Sequence, residues 1–132
     1  MKNLEQIRAA SAISFAKDVE AGTSIAKGAE GGEAIKKIPP MIMGNGLLAA
    51  IAFSLENQRE GYASIFTALA KHLANPLISI APGVTDAKTL INFLVNEDSA
   101  TLKLATAEAL EWFSYARRFV KSPKKQNNDR AS

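Results

Sequence analysis

The sequence predicts an all-α fold, a compact bundle of about five to six helices, on three observations. Nearly every apolar segment repeats at three- and four-residue spacing rather than alternating. The β-branched runs that build strands are missing, apart from a short stretch from Leu77 to Ile80. Hydrophobic residues make up 47% of the 132 residues, which suits one core and leaves too little chain for two domains. A single helical-bundle domain is therefore expected over residues 1–121, followed by a polar tail over 122–132.

The first helix is expected from Asn3 to Ala21, burying Leu4, Ile7, Phe15 and Val19. It runs into a connection rich in glycine: Gly22, Gly28, Gly31 and Gly32. A short helix follows over Glu33 to Ile38, closed by Pro39 and Pro40, which in turn pre-set the first turn of a helix from Pro40 to Glu56. That helix is apolar almost all round, as expected of one surrounded by others, and Gly44 on its Leu48, Ile51 and Leu55 side is read as a crossing point. A fourth helix, Tyr62 to Ala74, presents Tyr62, Ile65, Phe66, Leu69 and Leu73 on one face before Pro76. Pro82-Gly83 marks a turn, Thr85 a candidate cap for a helix over Asp86 to Val95, and Asp98 or Ser99 a cap for the last long helix.

That last helix, SATLKLATAEALEWFSYARRFVK from Ser99 to Lys121, has two unlike sides. At about 100° per residue, Leu102, Ala105, Ala109, Trp112, Phe113, Ala116, Phe119 and Val120 form one wide stripe that must be buried. Lys103, Arg117, Lys121 and Lys124 lie on the far side without a carboxylate among them, and Arg118 lies near Glu111 and Glu108 on the flank. Such a surface suits a phosphate backbone. It also suits an ordinary solvated face whose cations complement the helix dipole.

Overall charge does not separate the two readings. Residues 1–120 carry twelve basic and twelve acidic side chains, so the formal +3 comes wholly from the tail, where Lys121, Lys124, Lys125 and Arg130 face only Asp129. Any contact with nucleic acid must then rest on local segregation of charge. Beyond Ser122 there is no large apolar side chain to bury, and disorder is expected.

Several classes of chemistry lack their parts. The chain has no cysteine, hence no disulfide, thiolate chemistry or cysteine-based zinc site, a composition that fits a reducing cytoplasm. Glu5 and Arg8 interrupt the N-terminal region where a signal peptide would be apolar. Ile38 to Leu55 is uncharged over 18 residues, but Pro39, Pro40, Gly44, Asn45 and Gly46 favour a buried helix over a membrane span. The sole histidine, His72, has no second ligand or triad partner nearby in sequence and is read as a helix-surface residue. Glu108 and Glu111 are read as solvent-facing carboxylates, and no catalytic residue, metal, cofactor or small-molecule substrate is assigned. Arg8 projects between Leu4, Phe15 and Val19, where a buried arginine needs a partner: it is either a snorkelling side chain or a satisfied ion pair, to Glu5 or to a carboxylate on another helix, or it meets an RNA or protein surface at the edge of that face.

Two segments together resemble one family. KKIPPMIMGNGLLAAIAFSLEN, Lys36 to Asn57, has basic residues, proline, an apolar turn and Asn-Gly-Leu leading into an Ala-Phe helix. TLKLATAEALEWFSYARRFVK, Thr101 to Lys121, has Thr-x-Glu-Ala-Leu, aromatics and a basic pair before Phe. In order and separation they are similar to the small subunit of the type III-B CRISPR RNA-silencing effector, the Cmr complex. The resemblance implies an all-helical, non-catalytic subunit of antiviral defence that stacks head to tail with copies of itself, beside the backbone subunits that hold guide RNA. It implies a basic face lining the guide-target groove, cleavage being left to other subunits. The matching basic positions are Lys36, Lys37, Arg117, Arg118 and Lys121, with Arg8 and Lys17 from a first helix that aligns more loosely.

Such a subunit should hold RNA by its phosphates while guide pairing supplies sequence. The alternative is a helical protein-protein adaptor without direct nucleic-acid contact. A helix-turn-helix DNA reader fits less well, because the helix with the basic face is long and no short turn precedes a compact recognition helix.

Overall fold

The computed structural model describes residues 2–30, 32–56 and 60–120. Among these residues six α-helices run in order: α1 (Leu4–Ala21), α2 (Glu33–Asn45), α3 (Leu47–Glu56), α4 (Glu60–Ala74), α5 (Ala87–Val95) and α6 (Ser99–Phe119), with a 3-10 turn at Ser24–Ala26. No strand occurs among the described residues, and no helix there is long and apolar enough to cross a membrane. The expected all-α bundle is what the chain forms. The expected tail falls on residues outside the described set.

Local chemistry sets the helix starts. Asn3 and Gln6 exchange side-chain and backbone hydrogen bonds of 2.9 Å each, closing a capping box on α1. Asp86, rather than Thr85, caps α5, its carboxylate accepting from the Thr89 amide at 2.9 Å. Asp98 caps α6 in the same way, accepting from Thr101 at 2.8 Å. These bonds hold the Asp86 and Asp98 carboxyls below their ordinary range.

The break between the second and third helices lies six residues beyond the expected one. Pro39 and Pro40 sit inside α2, and the chain turns at Gly46. Proline removes an amide donor, so the Ile35 and Lys36 carbonyls lose their usual helical partners, yet its fixed φ is helical and the helix continues on its buried Ile35, Ile38 and Ile42 side. Gly46 stops it because its φ of 96° lies where a side chain is strained. The expected crossing at Gly44 is absent: a Cβ there would meet nothing within 4 Å.

The close backbone approach is at Gly61 instead. A Cβ on Gly61 would collide with the Gly28 carbonyl, its carbon lying only 2.9 Å away. Next to this point the Ser64 hydroxyl donates to the Lys27 carbonyl at 2.7 Å, so α4 is laid directly on the glycine-rich connection. Gly61→Ala should therefore cost about 1–3 kcal/mol in chemical denaturation, because backbone must move. Gly44→Ala should be neutral or stabilise by up to about 1 kcal/mol through helix propensity.

The core joins all six helices, and its largest fully buried side chains include Trp112, Phe66, Phe113, Ile51 and Leu69. α6 lies against α1, α2 and α4. Phe119, expected in the buried stripe, is 37% exposed at the helix end, and Leu4, expected in the first helix's core, is 47% exposed in the first turn. Both sit where a helix runs past the partners that would cover it.

Candidate nucleic-acid interface

The basic residues divide by whether the fold has already engaged them. Arg8 is engaged. Its Nε and Nη2 donate to the two carboxylate oxygens of Glu108 at 2.8 Å each, and Nη1 reaches Glu111 at 3.5 Å. The bond to Glu108 raises the Arg8 pKa further, against the opposing effect of burial. Of the partners open to Arg8 in the sequence, a carboxylate on another helix is the one it takes.

Glu108 and His72 are corrected by the same network. Glu108 is buried at 6% exposure, and only Glu111 faces solvent. His72, 2% exposed, is a core residue whose Nε2 lies 2.9 Å from Glu108 Oε2. Burial pushes the Glu108 carboxyl up, but the hydrogen bonds from Arg8 and His72 outweigh it and leave the group below its ordinary value. Burial lowers His72 more than Glu108 raises it, so the ring favours its neutral form. With Nε2–H donating to the carboxylate, Nδ1 is left as a buried acceptor with no partner among the described residues. Both positions carried a signal: Glu108 lies four residues before Trp112, and His72 three after Leu69, on the sides of their helices that face the core.

Lys37 is also engaged, pairing with Glu33 at 3.0 Å one turn earlier, which holds the Glu33 carboxyl below its usual range. Lys17, Lys36, Lys103, Arg117 and Arg118 are exposed and make no ion pair among the described residues. Lys121 lies outside the described residues.

Packing brings two of the sequence-distant basic segments to one end of the bundle. A Cβ at Gly32 would sit 3.6 Å from the Val120 carbonyl oxygen, so the start of α2 rests on the end of α6. Lys36 and Lys37 then lie about one turn into α2, while Arg117 and Arg118 occupy the last turn of α6. Lys103 is not part of this group, since it precedes Arg117 by about 21 Å along α6. Lys17 lies well along α1, about 13 Å beyond Arg8. Among the described residues no three His, Cys, Asp or Glu side chains are grouped to hold a metal.

The two segments that meet at this end are the ones that carried the family resemblance, and comparison across the whole chain decides the matter. Residues 4–123 match the family described as CRISPR-associated protein (Cas_Cmr5). The chain belongs to this family. It is thus a small subunit of the type III-B CRISPR Cmr complex, and other Cmr subunits are its partners. No curated protein matches it. The match covers all six helices of this Cmr subunit, including the Ala21 to Gly32 connection that the sequence resemblance left aside.

Proposed function

We propose that this Cmr subunit is a non-catalytic, RNA-facing component of the effector in the cytoplasm. It stacks with copies of itself and lines the groove of the guide-target duplex. Lys36, Arg117, Arg118 and Lys121 hold phosphates, with Lys37 at the margin and Lys17 as an outlying contact, while Lys103, about 21 Å from Arg117 along α6, leaves this set. Arg8 leaves this set, because its guanidinium is already bound bidentately to Glu108.

The observation that carries the reading is the sorting of cations. A body whose basic and acidic residues balance leaves Lys36, Arg117 and Arg118 at one end without partner carboxylates among the described residues. Unpaired guanidinium groups are suited to phosphate, which they meet with fixed forks of donors. Contacts of this kind are sequence-indifferent and salt-dependent.

Charge reversal in the assembled complex tests this. With Arg117→Glu, Arg118→Glu and Lys36→Glu combined, target RNA capture should weaken on the order of tenfold or more at moderate salt. The slope of log affinity against log salt should also flatten by about 0.7–0.9 per lost contact. A complex that assembles with normal subunit ratios and captures RNA unchanged would establish the adaptor reading instead.

A further inference from the structure

We infer that the groove between the α2–α3 break and α6 is a docking site for a protein partner, which inserts aliphatic side chains beside an acidic residue. The groove measures about 540 Å³ and is bounded by Leu47 and Leu48 on one side and Leu102, Lys103, Ala107 and Leu110 on the other. It exists because Gly46 parts α2 from α3, and it lies on a different part of α6 from Arg117 and Arg118.

Its chemistry selects the class of occupant. None of the lining residues is aromatic, so there is no surface on which a nucleotide base would stack. Leucine and alanine walls offer a phosphate backbone nothing, whereas they match the aliphatic face of a peptide segment. Among the described lining residues Lys103 alone is charged, it has no ion-pair partner among the described residues, and none of the described lining residues is a carboxylate. An incoming carboxylate therefore meets an unmatched ammonium at the rim. The amides of Leu47, Leu48 and Ala49, at the start of α3, add to that preference, since none has an acceptor among the described residues. The chain's own tail is a poor occupant, because residues 122–132 contain no large apolar side chain.

The test uses the whole effector complex with a photoreactive benzoyl-phenylalanine at exposed Ala107, and in a second preparation at exposed Ala49 on the α3 wall. Irradiation should join this subunit to a different protein subunit, at a peptide carrying aliphatic residues and an Asp or Glu. Lys103→Glu, combined with the Ala107 probe, should lower the crosslink yield at least tenfold, and Lys103→Arg should restore it. Crosslinking to RNA, to a second copy of this chain or to nothing at both positions would overturn the proposal, as would full yield in Lys103→Glu. The inference is separable from the RNA-facing reading. Reversal at Arg117 and Arg118 should leave the crosslink intact, and loss of the crosslink in Lys103→Glu says nothing about capture at the other end.

Discussion

Glu108→Ala should destabilise the isolated subunit by about 3–5 kcal/mol, lowering its melting temperature by on the order of 10–20 °C in a thermal scan. The carboxylate is the shared acceptor for Arg8 from α1 and His72 from α4, so its removal strands a partly buried guanidinium and a buried imidazole together. Leaving such charges and donors unmatched costs more than the intact pair contributes. Glu108→Gln should lose less, since its amide oxygen still accepts one bond. Replacing Arg8, Glu108 and His72 together with apolar residues of similar size should recover much of the loss, because nothing polar is then left stranded.

The same network sets the pH dependence. His72 is lowered by burial, so between its folded and unfolded pKa values the unfolded chain binds the extra proton, and stability falls as pH drops below about 6.5. Glu108 is also lowered, so its contribution is present above its unfolded pKa and disappears as pH falls through the folded value. The two effects share a sign. Melting temperature should decline from neutral pH in two stages, and Glu108→Gln should blunt the lower one.

What the sequence disclosed follows from how local each cause is. Helix period and capping residues act within four positions, which is why α1, α5 and α6 are readable to within a few residues. The α2–α3 break was less readable because two signals competed, and Pro39-Pro40 is the louder one. Only the left-handed backbone of Gly46 reveals where the chain turns. Gly61 rather than Gly44 marks the close approach because its neighbour, Gly28, is distant in sequence. The site divides along the same line. Arg8 announced that it needed a partner, but which carboxylate it found depends on how α1 meets α6. Once Glu108 is claimed, it ceases to be a surface acid and Arg8 ceases to be a free cation. Likewise, the apolar groove needs two elements to form its walls, so neither segment shows it alone.

Trp112→Ala should be at least as damaging, at about 3–5 kcal/mol, because this side chain closes the junction from which the network hangs. Trp112 is fully buried, with ring centroids 5.8 Å from Phe15, 6.1 Å from His72 and 5.2 Å from Phe113. Its Nε1–H donates to the Ser11 hydroxyl at 3.1 Å, tying α6 again to α1. Truncation leaves a void beside Glu108, and water entering it would weaken the electrostatic bonds that Arg8 and His72 make there. Trp112→Phe keeps most of the packing and loses the indole bond, so a smaller loss of about 1–2 kcal/mol is expected. Phe119→Ala is the internal control, since its ring is already 37% exposed and should cost far less than Trp112→Ala. Chemical denaturation of the three variants ranks these effects. Trp112 is the only tryptophan in the chain, so emission in the Glu108→Ala variant also reports whether water has reached the junction. A red-shifted native spectrum there, with helix content intact, would show that the carboxylate and the indole stabilise one another. Equal losses for Trp112→Ala and Phe119→Ala would instead mean that α6 is held along its whole length and that no single junction governs the fold.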